Sequence, residues 1–136
     1  MSLKYLLDTN ICIYIIKRKP IGVLHKFERL AVGEVGMSTI TYGELLYGTH
    51  KSHHPIKTLH ILEELVSLIP VLPISTDTGK YYGDIRSKLE KNGKPIGNND
   101  LWIASHALAA GLTLVTNNVK EFSRISRLKI ENWVVE

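Results

Sequence analysis

The chain has one cysteine, Cys12, among its 136 residues. A single thiol can form neither an intrachain disulfide nor the thiolate set of a structural zinc site, so a disulfide-stapled secreted scaffold and a zinc finger are excluded and a reducing, cytoplasmic setting is expected. Long apolar runs are missing too. The longest, such as Ile11 to Ile16, fall far short of the ~20 residues that span a bilayer, and Met1-Ser2-Leu3-Lys4 lacks the apolar core of a signal peptide. Neither membrane insertion nor export is expected. Charge of one sign is also scarce in excess: 17 Lys and Arg against 13 Asp and Glu leave +4. That balance tolerates a polyanionic partner without requiring one.

What is present suffices for one core. With 44% hydrophobic residues, a chain of this length buries roughly two-thirds of its unfolded surface and needs no staple. Residues 1–136 read as a single domain, without a linker, internal repeat or low-complexity tract. Most acids, including Glu28, Glu63, Glu64, Glu90 and Glu136, lie in polar stretches that should face water. Asp8, Glu44 and Asp100 do not.

Lys4 to Asp8 reads as a short buried strand ending in a carboxylate. Ile11, Ile13, Ile15 and Ile16 are β-branched, yet Asp8-Thr9-Asn10 is a cluster of capping residues that restarts the chain as a helix. Pro20 opens a second helix, with Val23, Leu24, Phe27 and Leu30 at helical spacing and an end near Gly33. Val35 to Ser38 is a second strand. The stretch from Thr39 to Gly48 is helical and forms a hairpin with a helix beginning at Pro55. Pro70 to Pro73 brackets a third strand, and Ser75 or Thr76 caps a helix reaching about Lys91. After the Asn92-Gly93-Lys94-Pro95 turn, Asn98 or Asn99 caps a helix that stops at Gly111. Leu112 to Thr116 is a buried strand, and the tail holds an edge strand near Trp133. Short apolar strands alternating with helices predict an α/β/α sandwich around a short, mainly parallel sheet.

In such sheets ligands bind outside the carboxyl ends of the strands. Asp8 sits at one such end and Thr116-Asn117-Asn118 at another. Asp100 falls in the first turn of its helix, where the macrodipole favours an anion, and Glu44 lies in the helix after the second strand. Carboxylates gathered there would resist ionisation unless a divalent cation neutralised them. Oxygen ligands with room for water suit Mg2+ or Mn2+ better than Zn2+. Such an ion orients a phosphodiester and lowers the pKa of water, which is the chemistry of metal-dependent phosphodiester hydrolysis.

Each residue also has a purely structural explanation. Asp8 can be a helix cap, Asp100 a first-turn acid complementing the dipole, and Asn117 and Asn118 ordinary turn residues. Glu44 lies among Ile40, Tyr42, Leu45, Leu46 and Tyr47, where a charge is costly unless a basic partner or a solvent-facing rotamer relieves it. His53-His54 beside Pro55 reads as a surface loop, and His106 as a packed histidine.

Four segments together resemble a known family. Leu6-Leu7-Asp8-Thr9-Asn10, Ser38-Thr39-Ile40-Thr41-Tyr42-Gly43-Glu44-Leu45, Ile96-Gly97-Asn98-Asn99-Asp100-Leu101-Trp102-Ile103-Ala104 and Leu114-Val115-Thr116-Asn117-Asn118 with Glu121-Phe122 are similar to the motifs of PIN-domain ribonucleases. More narrowly, the chain resembles the VapC toxins of bacterial toxin–antitoxin pairs. The resemblance implies a PIN-like fold that binds Mg2+ or Mn2+ and cleaves RNA. Asp8, Glu44 and Asp100 match the three main acids and Thr116 the hydroxyl that orients the site. The fourth family position is commonly Asp, and Asn118 stands there, able to coordinate through its carbonyl oxygen but adding no charge. One well-bound metal is therefore expected.

The implied reaction is in-line attack by water on an RNA phosphorus, with Asp8, Asp100 and Glu44 positioning ion and nucleophile. A tRNA anticodon loop is the preferred substrate. Lys94 and Lys120 flank the motifs most closely among the basic residues, and Tyr14, Tyr47 and Trp102 are the aromatics that could stack bases. The implied partners are a VapB-like antitoxin, a second copy of the chain, and operator DNA contacted through the antitoxin. Two alternatives remain: a catalytically impaired PIN-fold binding module, and an aspartate-nucleophile phosphotransferase using Asp8, for which Asn10 replaces the usual second acid.

Overall fold

The computed structural model of the chain describes residues 2–134. Its strands are β1 (Tyr5–Leu7), β2 (Val35–Ser38), β3 (Val71–Leu72), β4 (Thr113–Val115) and β5 (Ile130–Glu131). They pair in the order β3-β2-β1-β4-β5, and every pair is parallel. Parallel neighbours need crossovers, which the helices supply. Helices α1 (Thr9–Lys17) and α2 (Ile21–Glu28) follow β1; α3 (Thr39–Lys51) and α4 (Pro55–Leu68) follow β2. The long helices α5 (Thr76–Lys91) and α6 (Asn98–Ala110) lead from β3 to β4, and one turn, α7 (Val119–Phe122), leads toward β5.

Successive strand residues point to opposite faces of a sheet. Leu6 and Leu114 accordingly pack with Ile85, Leu89, Ile103 and Phe122 from α5, α6 and α7, while Leu7 and Val115 pack with Ile11, Leu45, Leu62 and Leu65 from α1, α3 and α4. Both faces are covered, which is why these strands show no polar alternation. The chain is thus an α/β/α sandwich, with a sheet that is wholly parallel among the described residues.

The isoleucine-rich segment after Asp8 is helical, as its capping residues predict. A β-branched residue costs a few tenths of a kcal/mol in a helix, whereas burying an Ile stabilises by ~1.5–3 kcal/mol. Ile11, Cys12 and Ile15 are all buried, so packing wins. Gly36 marks a close approach: a Cβ there would lie 2.9 Å from Leu72 Cδ1, so the Leu72 side chain on β3 occupies the space beside β2.

Two local expectations need correction, and one is met. The N-cap of α6 is Gly97, not Asn98 or Asn99, because the Asn98 side chain is instead bonded to the Tyr82 hydroxyl. The tail does hold an edge strand near Trp133, at Ile130–Glu131. Trp133 turns inward, 1% exposed, packs edge-on against Tyr5 at 5.7 Å and donates its indole N–H to Glu131. Helix α2 stops at Glu28, and the chain then turns through Gly33 at φ 103° before β2. Glu28, Glu63, Glu64 and Glu90 are exposed; Glu136 lies outside the described residues.

From β1 the chain moves outward to β2 and β3, then returns to place β4 and β5 on the other side of β1. The reversal leaves a crevice at the carboxyl ends of β1 and β4, the usual place for a ligand in an open parallel sheet.

Candidate active site

Asp8 and Thr116 flank that crevice. The Asp8 amide donates to the Val115 carbonyl at 3.0 Å, which ties the end of β1 to the end of β4. Asp8 Oδ1 accepts the Ile11 amide at 2.9 Å, and Oδ2 accepts the Thr116 hydroxyl at 2.5 Å. The side chain therefore caps α1 and belongs to the crevice at once. Burial pushes the Asp8 carboxyl above its usual range, against the hydrogen bonds from Thr116 and Ile11, and the nearby Glu44 charge adds to the rise. Thr116 is fully buried, and its oxygen also accepts the Asn118 amide at 3.0 Å.

Glu44 is half-buried on α3. Neither a basic partner nor full solvation relieves it: the Thr9 hydroxyl donates to Glu44 Oε1 at 2.6 Å, and Thr9 also meets Thr41 at 3.4 Å. Asp100, in the first turn of α6, is half-buried as well. Its pKa is pushed up to about 7, first by burial, then by its hydrogen bond to Glu121 and the charges of Glu121, Asp8 and Glu44.

Glu121 is the residue that sequence reasoning left without a role, although it lay inside a quoted motif. Its Oε1 accepts the Gly97 amide at 3.2 Å and its Oε2 accepts the Asn118 side-chain amide at 2.9 Å. Burial acts to raise its pKa, but the bonds from Asn118, Asp100 and Gly97 and the charge of Arg124 outweigh that and hold it low. Asp100 and Glu121 thus form a pair in which Asp100 keeps the proton. The readable clue was spacing: Glu121 stands three residues after Asn118, on the same side of one helical turn. Asn118 contributes its nitrogen to Glu121, which leaves its carbonyl oxygen unengaged among the described hydrogen bonds.

Asp8, Glu44 and Glu121, from α1's cap, α3 and α7, thus lie near enough to Asp100 on α6 for their charges to act on it, while hydrogen bonds to threonine and amide groups hold them apart. Among the described residues no three His, Cys, Asp or Glu side chains converge as a ready-made cage. Mg2+-like ions do not need one, since they keep several waters and bind through one or two carboxylates. The donor set, all oxygen and with excess negative charge, fits a hard divalent cation.

The other candidates fall elsewhere. His53 and His54 are exposed in the α3–α4 turn. His106 is 3% exposed, meets Ser38 Oγ at 2.8 Å, and is held toward its neutral form by burial. Since Ser38 caps α3, this bond links the helix of Asp100 to the helix of Glu44. Lys94 and Lys120 are exposed. Arg124 sits nearer the acids, donating to the Pro95 carbonyl at 2.9 Å. Tyr47 is 63% exposed, Tyr14 packs partly into the core, and Trp102 stacks on Tyr82 with ring centroids 3.9 Å apart.

Residues 5–128 match the PIN domain family. Ribonuclease VapC2 of Haemophilus influenzae is 45% identical over 132 residues, covering 97% of this chain and 99% of that protein. The tRNA(fMet)-specific endonuclease VapC of Shigella flexneri is 44% identical, covering 96% and 98%. Among solved structures, VapBC2 from Rickettsia felis bound to a promoter DNA fragment superposes with a TM-score of 0.90 at 43% identity, covering 97% of this chain and all of that one. The DNA-bound VapBC from Salmonella typhimurium gives 0.91 at 41%, covering 98% of this chain and 100% of that one. With the carboxylate edge at the β1–β4 crevice and full-length likeness on both counts, the chain belongs to the PIN-domain family and, within it, to the VapC ribonucleases.

Proposed function

We propose that this ribonuclease is the toxin of a VapBC-type pair and that it hydrolyses RNA phosphodiesters with Mg2+ or Mn2+ held by Asp8 and Asp100, assisted by Glu44, Asn118 and Glu121. The observation that carries this reading is the meeting of Asp8 and Thr116 across the β1–β4 crevice, with Asp100, Glu121 and Glu44 around them. The charge absent at Asn118 is supplied by Glu121, and this argues against an impaired binding module. Both Asp8 oxygens already accept hydrogen bonds and Asn10 is exposed, an arrangement poorly suited to a phosphorylated aspartate.

A bound divalent cation would supply charge neutralisation and polarisation of a phosphodiester oxygen. The protein's own work is positional. Thr116 fixes the Asp8 rotamer, Thr9 fixes Glu44, and Asn118 with the Gly97 amide fixes Glu121. Asp100 must release its proton before it can act as a ligand, so cation binding and proton release are linked. By analogy with the Shigella relative, a tRNA is the substrate, with the anticodon loop the preferred place of cleavage. By analogy with the DNA-bound VapBC assemblies, a VapB-like antitoxin binds this toxin and the pair engages operator DNA; the same proposal includes association of two toxin copies and DNA contact through the antitoxin. No described helix is long and apolar enough to cross a membrane, in keeping with action in the cytoplasm.

Total RNA incubated with the purified chain and Mg2+, with Asp8→Asn as control, tests the reading by sequencing of the ends. Discrete cuts in tRNA that leave 5′-phosphates and vanish in the control are the expected result. Equal cleavage by the control would refute the site.

A further inference from the structure

A cavity of about 220 Å3 opens between α5 and the loop before α6. Its floor is apolar, from Leu89, Ile96 and Leu101, and its rim carries Arg86, Glu90 and Asn98. The loop is a wall shared with the acids. On one side the Gly97 amide donates to Glu121 at 3.2 Å, and a Cβ on Gly97 would stand 3.7 Å from Asp100 Oδ2. On the other side its two chain neighbours, Ile96 and Asn98, line the cavity. The cavity therefore lies one backbone away from the carboxylate edge.

The rim is ordered before anything binds. Arg86 Nε donates to Glu90 Oε2 at 3.0 Å, and Arg86 Nη1 donates to the Tyr82 hydroxyl at 2.8 Å. That hydroxyl donates in turn to Asn98 Oδ1, and the Tyr82 ring is clamped by its stack on Trp102 at an interplanar angle of 12°. The side chains are thus fixed while part of their capacity stays unspent. Arg86 Nη2, Asn98 Nδ2 and Glu90 Oε1 take part in no hydrogen bond among the described residues. The unspent set is two donor groups beside one anionic acceptor.

We propose that this cavity is a nucleobase subsite that reads a guanine next to the cleaved phosphodiester, with Arg86 and Glu90 as the specificity-determining pair. Guanine presents O6 and N7 as paired acceptors, which the free Nη2 group of Arg86 meets together with the second N–H of Nη1, the first being given to Tyr82. Its N1–H and amino group are donors for the Glu90 carboxylate. Adenine places an amino donor where guanine has O6, against the Arg86 donors, and is disfavoured. Leu89, Ile96 and Leu101 take the flat face of the ring out of water, and Asn98 Nδ2 is left for a sugar or phosphate oxygen. The inference rests on the ribonuclease reading of the adjoining acids and deepens it, since it assigns substrate choice to a place beside them.

An RNA pool randomised within a hairpin loop, cut by the Mg2+-loaded wild-type protein and sequenced at its ends, tests it. Guanine should be enriched at one fixed position flanking the cut. Arg86→Ala should erase that enrichment and lower kcat/KM on guanine-bearing RNA by about 10- to 100-fold, with a much smaller loss when another base stands there. A loss equal for every base, or an enrichment that persists in Arg86→Ala, overturns the subsite; so does an evenly cut pool. If wild type cuts no RNA, the ribonuclease reading fails instead, and the subsite is judged by binding alone. In that arm, GMP added to the Asp8→Asn protein should shift the Arg86 Nε–H and Trp102 indole NMR signals more than AMP at equal concentration. Equal or absent shifts overturn it.

Discussion

Replacing Asp100 by Asn should stabilise the metal-free protein, and by an amount that depends on pH. Asp100 keeps its proton in the folded state up to about 7, whereas an unfolded Asp loses it near 3.8. Between those values the folded chain binds more protons than the unfolded one, so stability falls as pH rises. The opposite shift of Glu121 is complete above the ordinary glutamate range and adds no slope beyond about pH 5. Holding a proton across about three pH units corresponds to ~4 kcal/mol at ~1.4 kcal/mol per unit. Asp100 is only half-buried, and solvent screening reduces this to on the order of 2 kcal/mol. Near pH 4 to 5 the neutral Asp100 and an Asn are near equivalents, both able to donate to Glu121. At pH 8 the wild type carries a crowded negative charge that the variant lacks. Thermal melts in EDTA at pH 5 and pH 8 should therefore show little difference at the lower pH and a variant advantage of roughly 6–8 °C at the higher. Mg2+ should narrow that gap by stabilising the wild type and not the variant. A gain equal at both pH values, or no gain at pH 8, would refute the crowding of Asp8, Glu44 and Glu121 around Asp100.

Thr116→Val removes the hydroxyl shared by Asp8 Oδ2 and the Asn118 amide; denaturant melts should show a loss of ~1–3 kcal/mol, and cleavage assays a fall of about tenfold or more as Asp8 loses its fixed rotamer. Gly36→Ala places a methyl group 2.9 Å from Leu72 Cδ1, and chemical unfolding should register ~1–3 kcal/mol of overpacking with the cut positions in RNA unchanged. Chelation with EDTA should abolish cleavage and leave the far-UV circular dichroism intact, because both core clusters are packed from apolar side chains and include none of the candidate ligands; collapse of the fold on chelation would contradict this. Titration of Mg2+ followed by Tm should give a rise that saturates, and Asp8→Asn should lose most of it.

Much of this molecule could be read from its residues because the relevant physics is local. Short apolar strands such as Leu6-Leu7 and Leu114-Val115 can only be buried on both faces, which demands helices on either side. Asp8, Ser38 and Ser75 cap helices through their own side chains, as their residue types foretell. The placement of Asp8 and Thr116 at strand ends follows from the same pattern. By contrast, neither Asn98 nor Asn99 caps α6, and the Tyr82 hydroxyl, sixteen residues from Asn98, bonds the Asn98 side chain instead. Nothing near Trp133 in sequence announces Tyr5 as its packing partner.

Residue pattern alone points to an α/β sandwich and puts Asp8 and Thr116 at the ends of buried strands, since periodicity and capping are short-range properties. Folding adds what the pattern does not carry: Glu121 bonds Asn118 and the Gly97 amide, Thr9 rather than a base holds Glu44, and Arg86, Glu90 and Asn98 line one cavity. Those facts depend on contacts between residues far apart in the chain. Hydrogen-bond partners and pKa values are set by which side chains share a crevice, and that sharing exists only after the β1–β4 edge has closed.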